Sequence, residues 1–201
     1  ENDIILQKYT SIMISNFAGI FDGCGYKISG LDIRQAGSSY GLFRYIQSSG
    51  EVKNLSVMGR MAPEGSRNRI GILAGVNYGK IINCNVSGSV SGADEVGGIA
   101  GVNEETGEIR RCQSSAIVIG NHFTGGICGM NRGVLNHCEN VGSINTYSLD
   151  VTYDFEDITM ENIEEINSSE HVSAHTDTGG IAGYSQGKIY YCTNGGNVGY
   201  Q

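Results

Sequence analysis

Gly97-Gly98-Ile99-Ala100-Gly101-Val102-Asn103, then a short excursion, then Gly107-Glu108-Ile109-Arg110-Arg111-Cys112 and a last apolar pair at Ile117-Val118, closed by Gly120, is the stretch that decides the fold. Its pattern returns, whole or in part, along most of the chain. An Ala-Gly or Cys-Gly step places Gly75, Gly101, Gly129 and Gly183. Asn77, Asn103, Asn131 and Ser185 follow two residues later, and Gly79, Gly107, Gly133 and Gly187 come next. Behind each turn glycine stand Ile81, Ile109, Leu135 or Ile189, then Cys84, Cys112, Cys138 or Cys192, then Val90, Val118, Ile144 or Val198. The turn glycines are 28, 26 and 54 residues apart, the last being twice 27. Gly50, Val52 and Leu55 form a degenerate earlier copy, and Ile28 and Leu31 keep the same mutual spacing before it.

The apolar pieces are short, rich in Ile, Val and Leu, and bounded by Gly and Asn, which is the grammar of strands and turns. A period near 27 is shorter than a propeller blade and leaves no room for a repeated helix. The Leu-x-x-Leu-x-Leu series of leucine-rich repeats is missing, and so is a strict six-residue period. What remains is a parallel β-helix, an all-β solenoid of about six rungs with short strands stacked about 4.8 Å apart. Parallel crossovers are overwhelmingly right-handed, so a right-handed coil is expected.

Stacking puts like over like. Val52, Ile81, Ile109, Leu135 and Ile189 are expected to form one internal column, and Leu55 with the four repeat cysteines another. The repeat glycines are expected at corners of positive φ, and the asparagine column is expected to bond backbone groups left unpaired at a corner. Isolated rungs should not fold, because each buries its apolar face only against its neighbours.

The 201 residues include 31 Gly, one Pro and no Trp, and carry a net charge of −8. That charge has one source. Nine acids and no Lys or Arg lie between Asn145 and Thr178, while the rest of the chain is nearly neutral. No basic stripe exists, which disfavours a nucleic-acid partner. The longest apolar run, Ile70 to Val76, is far short of a membrane span. No signal peptide is visible. The chain begins at Glu1 rather than Met, and the last rung has no evident cap, so the reading is of a fragment with further repeats C-terminal to it.

Taken in order, residues 1–16 read as an N-terminal cap of one or two strands, and residues 17–144 and 179–199 as the repeats. Phe-x-Gly-x-Phe-Asp-Gly-x-Gly-Tyr-x-Ile-x-Gly-Leu from Phe17 to Leu31, then Gly41-Leu-Phe, Val52-Lys-Asn-Leu55 and the Gly-Gly-Ile-Ala-Gly-x-Asn units, together resemble the GLUG-repeat proteins. That resemblance implies a surface-exposed β-helix of the kind found in bacterial adhesins and in the non-catalytic N-terminal part of IgA-cleaving zinc peptidases. The zinc-peptidase motif His-Glu-x-x-His is absent from this chain.

Residues 145–178 break the pattern and contain no glycine. Leu149, Val151, Tyr153 and Phe155 alternate with polar residues, as in a half-buried strand. Asp157 to Ile166 reads as a short helix with Asp157 as N-cap, and His171 to His175 as a second strand. A protruding acidic strand–helix–strand insertion on the side of the coil is therefore expected.

The chemistry-bearing residues favour packing and binding over catalysis. One sulfur per rung cannot converge on a tetrahedral zinc, so the cysteines read as small buried hydrophobes. His171 and His175, on a strand, would stand about 13 Å apart, too far to share a metal. The acidic segment lacks a calcium-loop motif and reads as a solvated face. Two outward columns flank the Ile column, Glu51-Lys80-Glu108-Val134-Lys188 and Lys53-Ile82-Arg110-Asn136-Tyr190; the signs alternate along the first, which favours cross-rung ion pairs. No carboxylate pair for glycoside hydrolysis converges there.

The expected function is a non-enzymatic stalk or adhesion module at the bacterial cell surface or outside the cell. It needs no cofactor or metal. Its partner would be a surface protein or glycan of a host or of the environment. The acids Asp150, Asp154, Glu156 and Asp157 and the tyrosines Tyr153, Tyr184 and Tyr190 are the expected contact points. Two alternatives stand beside it: a carbohydrate-active β-helix enzyme, and a non-catalytic segment of a secreted peptidase.

Overall fold

The computed structural model of the chain describes residues 2–6, 13–65, 67–146 and 177–199. Among these there is no helix. Parallel strands stack as a β-solenoid, and each turn visits the same sheets in the same order. The first sheet holds Ile14–Phe17, Phe43–Ile46, Ala74–Asn77, Ala100–Asn103, Cys128–Asn131 and Ala182–Ser185. The second holds Ile20–Asp22, Glu51–Lys53, Lys80–Ile82, Glu108–Arg110, Val134–Asn136 and Lys188–Tyr190. In both, four strands have a neighbour on each side, which gives about four fully flanked turns. The third sheet runs from Ile4–Ile5 through Lys27–Ile33, Ser56–Met61 and Asn85–Ser91 to Gln113–Ser114, Glu139–Asn140 and Thr193–Asn194, with Ile117–Ile119 also on Asn85–Ser91. The strand–helix–strand reading of residues 145–178 falls almost wholly on 147–176, outside the described residues.

The internal columns are those the repeat spacing implies. Val52, Ile81, Ile109, Leu135 and Ile189 are consecutive partners in register. The first four are fully buried. Val90, Val118, Ile144 and Val198 line up in the same way. Burial fails only at the last described turn, where Ile189 and Val198 are 42% and 41% exposed because no described turn covers them.

The cysteine column has a chemical reason beyond size. Each cysteine follows a left-handed corner that turns the carbonyl two residues back toward the interior. The S–H donates to it: Cys84 to Ile82 O at 3.4 Å, Cys112 to Arg110 O at 3.2 Å, Cys192 to Tyr190 O at 3.3 Å. A thiol is a small apolar body with a weak donor, which suits a buried site beside one underused carbonyl. Burial pushes the Cys112 and Cys128 thiols up. Burial also keeps reagent from all four interior thiols, Cys84, Cys112, Cys128 and Cys138, so two reactivity classes are expected. Surface Cys24 should be alkylated at least about 100-fold faster than buried Cys84, Cys112, Cys128 and Cys138, which react only as the coil opens. Peptide mapping after timed iodoacetamide labelling reads this. Equal rates would contradict an interior sulfur ladder.

The asparagine column does what was expected of it and more. Asn77 Oδ1 accepts from Gly79 N–H at 3.1 Å, and Asn77 Nδ2 donates to Gly79 O at 3.2 Å. The amides also bond one another through the interior: Asn77 Nδ2 to Asn103 Oδ1 at 2.8 Å, Asn103 Nδ2 to Asn131 Oδ1 at 2.9 Å, Asn131 Nδ2 to Ser185 Oγ at 3.0 Å.

The repeat glycines are a correction. None of the eight has positive φ. The left-handed corners belong to other residues, in two columns. Asn54, Asn83, Arg111, His137 and Tyr191 lie at φ between 52° and 54°; Ser39, Arg69, Glu95, Phe123 and Asp177 lie between 49° and 61°. Such a residue is strained by about 1–2 kcal/mol, and the next turn offsets this. The N–H groups of Asn54, Asn83, Arg111 and His137 donate to Ile82, Arg110, Asn136 and Tyr190 carbonyls at 2.9–3.1 Å. The glycines serve close approach instead. A Cβ on Gly75, Gly101, Gly129 or Gly183 would lie 2.3–2.4 Å from the backbone of Ser39, Arg69, Glu95 or Phe123, the second column of left-handed corners.

A fourth, three-stranded sheet was not foreseen. It consists of Asp94–Gly97, His122–Gly125 and Thr178–Gly179. A second apolar cluster accompanies it: Val76, Val102 and Met130, with Tyr45 and Phe123 packed against them.

Candidate functional site

The outer surfaces divide by chemistry. On the second sheet the charged side chains pair chiefly along a strand. Lys53 Nζ lies 3.1 Å from Glu51 Oε1, and Arg110 Nε lies 3.5 Å from Glu108 Oε1. The cross-rung contact there is Lys53 to Asp22 at 3.9 Å. The expected Glu51–Lys80–Glu108 ladder is in register, but its carboxylates turn to the cation two residues along their own strand. An extended strand puts residues i and i+2 on one face, so this partner was always available. The Asn54 side chain and the Cys24 backbone N–H hold the Asp22 carboxyl below its ordinary range, with Lys53 adding to the effect. Glu51, with Asp22 behind it, raises the Lys53 ammonium.

The closer cross-rung pairs lie at corners. Arg69 Nε meets Glu95 Oε2 at 2.9 Å, joining consecutive left-handed residues. Arg132 Nη1 reaches both oxygens of Glu104 at 3.0 Å. Glu104 belongs to the widened turn at 104–106, which is tied down by Thr106 Oγ1 donating to Tyr78 O at 2.6 Å.

The expected contact residues do not assemble into one site. Asp150, Tyr153, Asp154, Glu156 and Asp157 lie outside the described residues. Tyr184 and Tyr190 are both on the last described turn, 40% and 44% exposed, but on different sheets. The Tyr184 ring packs on Phe123 with centroids 5.5 Å apart. Tyr190 pairs in register with Asn136. Tyr191, missed by the sequence reading, is more exposed than either and stacks on His137 at 4.8 Å. The adjacent Tyr190-Tyr191 pair was the available signal.

Concavities among the described residues include three. One of about 260 Å³ lies at the N-terminal end, lined by Ile4, Phe21, Ile28 and Leu55 and by the exposed Cys24. One of about 320 Å³ sits beside Tyr78, Glu104, Glu105 and Thr106. The third, of about 210 Å³, is a trough on the outer face of the third sheet. Among the described residues, no cluster of three or more His, Cys, Asp or Glu side chains is placed to hold a metal ion, and no helix is long and apolar enough to cross a membrane.

The chain is similar to halomucin of Haloquadratum walsbyi, 35% identical over 97 residues, which is 48% of this chain and 1% of that protein. It is also similar to a putative Gly-rich membrane protein of Evansella cellulosilytica, 32% identical over 129 residues, 48% of this chain and 15% of that protein. The chain thus spans only a small part of either relative. No family model matches it, and no solved structure matches it.

Proposed function

We propose that the chain is a non-enzymatic β-solenoid module of a bacterial protein that lies at the cell surface or outside the cell, acting as a stalk or adhesion domain. In this reading the coil is right-handed with about six rungs, belongs with the GLUG repeats, and carries the acidic segment 145–178 as an insertion. The observation that carries it is the unbroken amide ladder from Asn77 through Asn103 and Asn131 to Ser185. From Asn77 to Ser185 each described turn is tied to the next by side-chain as well as backbone bonds, and the product is a stiff spacer. The names of the two relatives, a halomucin and a membrane protein, fit the same location.

Antibodies to the chain should label intact cells of the source organism, and brief protease treatment of those cells should remove the signal while a cytosolic marker persists. Labelling that needs permeabilised cells would overturn the proposal.

A further inference from the structure

The geometry points to the trough on the third sheet as a binding site for an uncharged glycan strand lying along the solenoid axis. This deepens the adhesion reading above and rests on it.

The trough runs across rungs, between two outward-facing columns. One wall is Lys27, Ser56, Asn85 and Gln113, consecutive partners in register. The other is Ser87 and Ser115, and the floor is formed at Val57 and Val86. Side chains two apart on a strand share a face, so both walls point to solvent and the space between them is open along the axis. Each turn adds one hydroxyl or amide to a wall at the strand spacing of about 4.8 Å. That is close to the length one pyranose adds to an extended glycan.

The chemistry selects the ligand class. The middle of the trough is all hydroxyl and amide, with its one charged lining residue, Lys27, at an end. Gln113 Nε2 donates to Glu139 Oε2 at 2.8 Å, and Ser115 Oγ to Val86 O at 3.2 Å. Those bonds fix two lining side chains. The side chains of Ser56, Asn85 and Ser87 make no hydrogen bond to the described residues, so donors and acceptors stay open on two successive strands, Ser56–Met61 and Asn85–Ser91. An amide pairs with a vicinal diol as donor and acceptor at once. Met58, 40% exposed and in register with Ser29 and Ser87, offers an apolar patch for ring C–H groups. The other faces are worse suited: the second sheet is charged and ion-paired, and an apolar cluster with Phe123 packs beside the first.

The test uses the full chain, isotope-labelled, titrated by NMR with linear neutral hexasaccharides (β-1,4-, β-1,3- and α-1,4-glucans) and with hexagalacturonate. At least one neutral probe should shift amides at Ser56, Asn85, Ser87 and Gln113. The Asn85→Ala/Gln113→Ala pair should weaken binding by at least about tenfold. Ser87→Tyr, which fills the trough from an outward position, should abolish binding without moving the melting temperature. Tyr184→Ala and Tyr190→Ala should leave it unchanged. No response to any neutral glucan, tighter binding of the acidic probe, or shifts centred on the last turn would each overturn the trough. Those outcomes leave the surface location untouched, because the cell-labelling experiment decides that separately.

Discussion

Replacing Asn103 by alanine is expected to lower the unfolding free energy by about 2–4 kcal/mol, a large effect for one small polar side chain. Asn103 is fully buried, and its carboxamide bonds both ways along the coil. Without it, Asn131 Oδ1 loses the donor at 2.9 Å, Asn77 Nδ2 loses an acceptor at 2.8 Å, and Gly107 O loses a donor at 3.2 Å. Asn77 Nδ2 keeps Gly79 O and Gly107 O keeps Val134 N, so the main loss falls on Asn131. An unsatisfied buried acceptor costs about 1–3 kcal/mol, and the gap left by the side chain adds to it.

Asn103→Asp separates this mechanism from simple loss of packing. The shape is kept, but an oxygen now faces Asn131 Oδ1 and Gly107 O where an N–H₂ group donated. Ionisation is disfavoured in the folded state, so the folded pKa of the new carboxyl rises above the unfolded value of about 3.9. An acid raised in this way destabilises the fold once pH passes the unfolded value, and increasingly up to the folded one. The deficit of Asn103→Asp relative to the parent chain should therefore shrink between pH 7 and pH 4, while that of Asn103→Ala stays flat. Chemical denaturation at both pH values measures it. Equal, pH-independent deficits would mean that the amide ladder contributes nothing specific.

The columns were legible in one sequence because stacking enforces them. An inward position must recur at the rung period, so Ile81, Ile109 and Leu135 declare themselves by spacing alone. The excursion between Asn103 and Gly107 was legible for the same reason, as an interruption of that spacing. The left-handed corners were not legible. Their occupants, Asn83, Arg111, His137 and Tyr191 among them, share no chemistry, because the side chain points away from the core and the N–H bond to the next turn fixes the backbone. The fourth sheet was missed because Asp94–Gly97 and His122–Gly125 resemble each other only in their final residues.

A second amide ladder was legible and overlooked. Asn140-Val141-Gly142 and Asn194-Gly195-Gly196 repeat the Asn-x-Gly spelling of Asn77-Tyr78-Gly79, and Asn140 Nδ2 donates to Asn194 Oδ1 at 2.7 Å and to Gly142 O at 2.9 Å. The trough was beyond sequence reading for a different reason. Ser56, Asn85 and Gln113 look like ordinary solvated strand positions until register puts them on one wall. The acidic residues chosen as contact points were picked for charge density, which says nothing of where they converge.

Gly129→Ala carries the largest expected penalty, about 4 kcal/mol or more, enough to prevent folding of a marginal chain. A Cβ there would sit 2.4 Å from Glu95 C and Val96 N and 2.6 Å from Phe123 O, atoms of two different turns. All three are backbone, so no rotamer change relieves the clash. Relief requires moving the left-handed corners at Glu95 and Phe123, and with them the bonds that tie those turns together. A solenoid has no second core to absorb such a shift, since each turn is stabilised only by its neighbours. Gly19→Ala is the matched control: its added methyl would meet only the Phe17 ring, at 3.7 Å. That change should be neutral to about 1 kcal/mol stabilising, through lost freedom of the unfolded chain. Soluble yield and circular dichroism report whether Gly129→Ala folds at all, and urea titration gives the difference where it does. If the two variants proved equally stable, the close approach of Gly129 to the turns beside it could not be real, and the stacking that places every column would fall with it.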